Sequence, residues 1–271
     1  MKKYRMKKNI LLKIKYDGKD FHGWQVQDDV RTVQGEIEHI LKFIAGEDVF
    51  INGTSRTDSG VHALGQCANF FWDNNLPTEK LADIMNKRLG SRGLGRSGAR
   101  GDIEILSATE VPMDFHARFD CKGKTYKYVI DAMGDVFQRN YCWQLPQFLN
   151  IEKMKEASEY IIGTHDFKCF ESSGANPRET TVRTIEKILI EPEKGYGKSS
   201  GKLNIEVTGD GFLYNMVRII VGTLVEVGIG KREPSSIPEI IMSKDRSKAG
   251  MTAPPQGLYL KEIYFGGKLN V

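Results

Sequence analysis

The chain has 271 residues, 40% hydrophobic and 27% charged, which suits a globular protein with a sizeable core and room for one large domain or two smaller ones. Its 39 Lys and Arg against 35 Asp and Glu leave a net charge of only +4, so charge balance alone does not single out a nucleic-acid partner. Cys67, Cys121, Cys142 and Cys169 lie far apart with no zinc-type spacing, and the longest apolar run, 212–227, carries Asn215, Arg218 and Glu226 and is too short to span a bilayer. The expectation is a cytoplasmic protein with reduced thiols, no membrane segment and no metal. Ile10 to Tyr16, behind a basic N-terminus, is too short and too charged to be a signal-peptide core.

In chain order, Lys7 to Tyr16 has strand character, and Thr32 suits the N-cap of a helix whose Ile37, Ile40, Leu41 and Ile44 share one face. A short strand from Asp48 to Asn52 and another from Gln66 to Trp72 follow. Thr78 then caps a helix carrying Leu81, Ile84 and Met85, and Ile103 to Leu106 reads as a strand. The second half repeats the order. It has a strand at Thr125 to Ile130, a helix from Ile151 to Ile162 stopped by Gly163, and strands at Thr181 to Ile190 and Leu203 to Thr208. A helix from Gly211 to Val227 and a strand from Leu258 to Phe265 complete it. Twice β-α-β-β-α-β predicts an α+β protein of two tandem ferredoxin-like units, residues 1–111 and 112–271, with an extended, mostly antiparallel sheet and a central cleft.

Two phosphate-binding patterns fail on context. Gly93-Leu94-Gly95-Arg96-Ser97-Gly98 follows a helix and leads into a strand, the reverse of a dinucleotide-binding turn. Gly123-Lys124-Thr125 opens a strand and has Arg118 where a phosphate loop needs glycine. The five histidines show no spacing that suggests a shared metal.

Arg56-Thr57-Asp58-Ser59-Gly60 places a carboxylate between an arginine and a glycine in a polar stretch bounded by apolar strands. By itself this is a turn in which Asp58 caps backbone amides and pairs with Arg56. Other segments change its meaning: Tyr16-Asp17-Gly18, Phe21-His22-Gly23-Trp24-Gln25, Thr32-Val33-Gln34-Gly35, and Thr54 to Ala63 with Gly65-Gln66. Further along stand Asp114 to Phe119, Tyr126-Lys127-Tyr128, Gly163 to Phe167, Val182 to Ile185, Gly211 to Arg218, Gly222-Thr223-Leu224 and Ala253 to Leu260. In this order and over nearly the whole chain, they resemble the tRNA pseudouridine synthase A family.

The resemblance implies that Asp58 is the catalytic aspartate, that Tyr126 lies on the target base, that Arg56 and Arg218 are active-site arginines, and that Leu258 lines the pocket. It also implies a homodimer that binds tRNA, works without metal or organic cofactor, and isomerises uridines on the 3′ side of the anticodon stem-loop, positions 38 to 40. The residue types suit that chemistry. The bond from ribose C1′ to base N1 must break, the base must turn, and C1′ must join C5, with no net redox change. A carboxylate with an ordinary pKa of about 3.9 is ionised at neutral pH and can attack ribose or base, or take a ribose proton. Arg218 stands in a largely apolar stretch, where an unpaired charge is costly, so an acidic partner is expected, and Asp58 is the choice. Without the resemblance, Tyr126 and Tyr128 alternating about Lys127 read as core residues of a strand.

Two departures from the family pattern stand out. Ser55 replaces a glycine usual before Arg-Thr-Asp, and Lys87 to Gly101, rich in Arg and Gly, replaces a short Leu-Pro connection. Arg92, Arg96 and Arg100 in that insertion are candidates for RNA contacts. The alternatives are a non-catalytic RNA-binding module, a paralogue modifying a different RNA site, and a metal-dependent hydrolase of nucleotides with a second acidic ligand near Asp58.

Overall fold

The computed structural model describes residues 7–90, 101–174, 179–193 and 201–266. The chain divides into two compact units, one of residues 1–122 with 260–271 and one of residues 123–259. The fold class is α+β: each unit has a mostly antiparallel sheet and a few helices.

Unit 1 contains β1 (Lys8–Tyr16), α1 (Val33–Ala45), β2 (Asn52–Gly53), β3 (His62–Trp72), α2 (Thr78–Leu89) and β4 (Ile103–Val111). Strand β1 is central, with Leu12 opposite Ala68 of β3 and Ala108 of β4. Its Ile10, Leu11 and Leu12 are all fully buried, as a strand covered on both faces requires. Helix α1 is capped as expected, Thr32 Oγ1 accepting from Gly35 N, and it buries Val33, Ile37 and Leu41. Helix α2 corrects one expectation. Its N-cap is Pro77, and the Thr78 hydroxyl instead donates to Glu110 Oε1 at 2.6 Å.

The strand expected from Asp48 to Asn52 shrinks to β2, which pairs with β3. The reason lies in α1. Glu38 Oε1 accepts from Ile51 N at 3.0 Å and Gln34 Nε2 donates to Ile51 O at 3.3 Å, so side chains meet backbone groups that a ladder would otherwise occupy.

Unit 2 contains β5 (Gly123–Asp131), β6 (Trp143–Gln144), α3 (Ile151–Glu159), β7 (Gly163–Asp166), β8 (Val182–Pro192), β9 (Lys202–Gly209), α4 (Met216–Gly228) and α5 (Ile237–Ser243). Strand β10 (Leu258–Tyr264) begins in unit 2 and ends in unit 1, where it lies beside β3. The sheet of unit 2 runs β5-β9-β8-β7, with β6 parallel to β5. In α4 every residue but Arg218 is buried, as a helix that is apolar on all sides should be. It starts at Met216 and not at Gly211, because Asn215 takes a left-handed φ of 61° that no helix can include. No helix among the described residues is long and apolar enough to cross a membrane.

Candidate active site

Asp58 lies in unit 1 in a half-buried stretch between β2 and β3 that belongs to neither helix nor strand. Its shape is imposed by the segment from Tyr16 to Gln25. Trp24 N donates to Thr57 O at 3.0 Å, and the buried Tyr16 hydroxyl shares a hydrogen bond of 2.7 Å with Thr57 Oγ1. Past Asp58, Ser59 Oγ donates to Phe21 O at 3.2 Å and Gly60 N to the same oxygen at 3.4 Å, while Val61 N closes a turn onto Asp58 O at 3.1 Å. Ahead of it, Gln66 Nε2 donates to Ser55 O at 2.6 Å.

Gly23 is required for this clamp. Its φ is 89°, and a Cβ there would stand 2.7 Å from Thr57 O. The Tyr16-Asp17-Gly18 and Phe21-to-Gln25 motifs, in which Phe21 and Trp24 read from the sequence as loop anchors, are thus the cradle of the Asp58 loop. His62 is also explained. It is 2% exposed, and its Nδ1 lies 3.0 Å from Gly18 N and 3.1 Å from Asp17 Oδ1, so the ring packs beneath the cradle and ties the Asp17-Gly18 turn in place.

Arg56 is exposed, and its Nε donates to Gln25 Oε1 at 3.1 Å. The simple turn reading placed Arg56 on Asp58. In the structure the cradle segment takes the guanidinium instead.

Unit 2 holds the other three residues. Tyr126 on β5 is 7% exposed, and Phe212 meets its ring edge-on with centroids 5.2 Å apart, which fixes the phenol ring in one plane. Arg218, in the first turn of α4, donates from Nε to Ala253 O and from Nη1 to Asn215 Oδ1, both at 2.7 Å. Asn215 in turn donates to Ser172 Oγ at 3.0 Å. The stretch bearing Ala253 lies against α4 because Gly222 has no side chain, a Cβ there falling 1.9 Å from Met251 O. Leu258, 5% exposed, begins β10. Phe212 and Asn215 were quoted in the sequence motifs, but nothing in their spacing announced that one would set a tyrosine ring and the other an arginine fork.

Arg92, Arg96 and Arg100 lie outside the described residues. Among the described residues no three His, Cys, Asp or Glu side chains gather as a metal site would need. Burial pushes the thiols of Cys67 and Cys169 up to about 12 and that of Cys142 to about 11, so none is a ready nucleophile at neutral pH.

A family model described as tRNA pseudouridine synthase matches residues 13–120 and 157–266, which include Asp58, Arg218 and Leu258. The chain belongs to the tRNA pseudouridine synthase family. Its relatives include tRNA pseudouridine synthase A 2 of Clostridium tetani, 48% identical over 264 residues that make up 96% of this chain and 100% of the relative. The tRNA pseudouridine synthases A of Thermoanaerobacter pseudethanolicus and Acetivibrio thermocellus are each 45% identical, over 95% of this chain and 100% of theirs. Family membership therefore covers both units and gives the clamped Asp58 loop a chemical context that its geometry does not supply.

Proposed function

We propose that this synthase converts uridine to pseudouridine on the 3′ side of the tRNA anticodon stem-loop, positions 38 to 40, with the Asp58 carboxylate as the reactive group. The observation that carries this reading is the clamp on the Asp58 loop in a chain matched along both units by the synthase family. Catalysis benefits when a reacting group is held in place before the substrate arrives, since a misplacement of about 1 Å can cost a hundredfold in rate. A carboxylate that only capped a surface turn would need no such cradle.

In this proposal Asp58 starts the cleavage of the bond from C1′ to N1, and the base turns within the enzyme before C1′ joins C5. Atoms and electrons balance without oxidant, water or cofactor. The target uridine leaves its stack at a cost of a few kcal/mol. The Tyr126 ring offers a replacement surface typically worth about 1 to 3 kcal/mol per base. Arg56, exposed and aligned by Gln25, fills the vacated place or holds a flanking phosphate. Arg218 is assigned as the cation that keeps Asp58 ionised, and Leu258 as an apolar wall for the base. Two tandem ferredoxin-like units with a cleft, a homodimer, a cytoplasmic location and tRNA contacts by Arg92, Arg96 and Arg100 complete the proposal.

A position-by-position map of pseudouridine in tRNA treated with the pure protein tests it. The expected result is new pseudouridine confined to positions 38 to 40, whereas new pseudouridine elsewhere would favour a paralogue of different target. Tight tRNA binding with no pseudouridine at all would favour a non-catalytic RNA-binding module.

A further inference from the structure

The segment after β4 carries a feature that the reaction does not use. Residues 112–120 are tied to the sheet of unit 1 by two buried asparagines. Asn9 Nδ2 donates to Pro112 O at 2.9 Å and to Phe115 O at 2.8 Å, Asn69 Nδ2 donates to Asn9 Oδ1 at 2.9 Å, and Ala117 N donates to Asn69 Oδ1 at 2.9 Å. Asn9 and Asn69 are each 1% exposed. Buried amides are tolerated only when satisfied, so this network fixes one conformation of the segment and accepts a cost in apolar packing to do so.

The fixed segment ends in a turn that displays an aromatic ring. Phe119 N donates to His116 O at 3.1 Å, Asp120 N to the same oxygen at 2.9 Å, and His116 N to Asp120 Oδ2 at 2.8 Å. Phe119 is nonetheless 74% exposed. Its ring is tilted by 35° against that of His116 with centroids 4.4 Å apart, and the exposed Arg118 guanidinium stands 5.9 Å from the ring centroid. His116 is held in turn, its Nδ1 accepting from Arg118 N at 3.2 Å. An isolated exposed phenylalanine needs no explanation. A phenylalanine on a rigid turn, flanked by imidazole and guanidinium and anchored through buried amides, has the composition of a nucleobase-stacking platform, with a flat π-face beside a cation for the phosphate.

We infer that Phe119, backed by His116 and flanked by Arg118, is a second RNA contact, separate from the reacting uridine, on which an unpaired base of the tRNA substrate stacks while Arg118 meets an adjoining phosphate. The inference rests on the proposed tRNA substrate. It extends that proposal by naming a recognition surface on unit 1, built by residues 112–120.

Direct tRNA binding tests it with four variants of the intact chain, three at Phe119 compared at fixed salt and one at Arg118 compared across a salt series. Phe119→Ala is expected to weaken affinity on the order of 5- to 100-fold, Phe119→Trp to retain it, and Phe119→Leu to behave like alanine, because stacking needs a π-face. Arg118→Ala is expected to lower the slope of log affinity against log salt by about one phosphate contact. The platform is overturned if the alanine variant binds as tightly as the parent, or if leucine restores binding. It is also overturned if the loss in the alanine variant follows a change of oligomeric state in gel filtration, which would make Phe119 a protein contact. Pseudouridine formation by the parent, measured in the same preparations, keeps this test apart from the functional one. A parent that binds tRNA without modifying it would defeat the catalytic proposal and leave the binding series to decide the platform.

Discussion

In unit 1 the residues around Asp58 form no regular element, and a distant stretch of chain, Tyr16 to Gln25, supplies the hydrogen bonds that define their path. In unit 2 Arg218 sits in the first turn of a helix buried along the rest of its length, and one local partner, Asn215 three residues before it, and one distant one, the Ala253 carbonyl, aim its guanidinium. The carboxylate is thus carried on an irregular loop shaped by a cradle, the guanidinium on a buried, rigid helix. A loop held from outside should be sensitive to small changes in its cradle that barely alter stability. A residue on a buried helix should be lost only when the packing of that helix is damaged.

The sharpest way to break that contrast is at the two glycines. Gly222→Ala would push a methyl into the Met251 carbonyl and is expected to destabilise the protein by about 3 kcal/mol, the upper part of the usual range for overpacking, as read from chemical denaturation. Gly23→Ala should instead act on catalysis, lowering kcat about a hundredfold by shifting Thr57 and Asp58, with a smaller effect on stability. If Gly23→Ala unfolded the protein while Gly222→Ala merely slowed it, the contrast would be reversed.

A finer test uses the Tyr16 hydroxyl. Tyr16→Phe removes one buried hydrogen bond to Thr57 and should reduce kcat about three- to tenfold, with little change in KM for tRNA. An equal loss in Thr57→Val, and no further loss when the two are combined, would show that they act through one bond.

The smallest expected effect is at the far end of α4. Glu226 is buried there. Burial opposes its ionisation, yet its bonds to Lys231 and Arg232 prevail and hold the carboxyl below the usual carboxylate range. Its contribution is therefore complete above the ordinary carboxylate pKa of about 4.3 and is lost as pH falls through the lower folded value. Glu226→Gln should cost about 1 kcal/mol at pH 7, and the gap to the parent should close on acidification. A gap that widened toward low pH would show that the ion pair is not what holds the end of this helix.

The same contrast explains what could be read from the sequence. Helices and strands with a clear apolar period, such as α1 with its Thr32 cap and β1 with its Ile-Leu-Leu run, were legible because burial and local propensity agree. The start of α4 was not, since the apolar run from Phe212 continues smoothly through the left-handed turn at Asn215. Strand β3 begins at His62, four residues before the expected Gln66, because its early residues alternate poorly although most are buried. Helix α5 was missed altogether. It is seven residues long, begins with Ile237-Pro238 and carries little amphipathic signal. At the candidate site, Asp58, Arg56, Tyr126, Arg218 and Leu258 could be named only because separate motifs occur together in family order. Most of the hydrogen bonds that hold Arg56, the Asp58 loop and Arg218 join distant residues, 31 positions apart between Arg56 and Gln25 and 41 between Tyr16 and Thr57, and no local pattern reveals such partners.

The most direct test of the central claim is a comparison of the parent and Asp58→Asn in single-turnover pseudouridine formation on tRNA, with tRNA affinity measured on the same samples. The substitution keeps the size and polarity of the side chain and removes its charge. The account predicts no detectable pseudouridine from the variant, with affinity within a few-fold of the parent. Turnover by Asp58→Asn at a rate near that of the parent would contradict it.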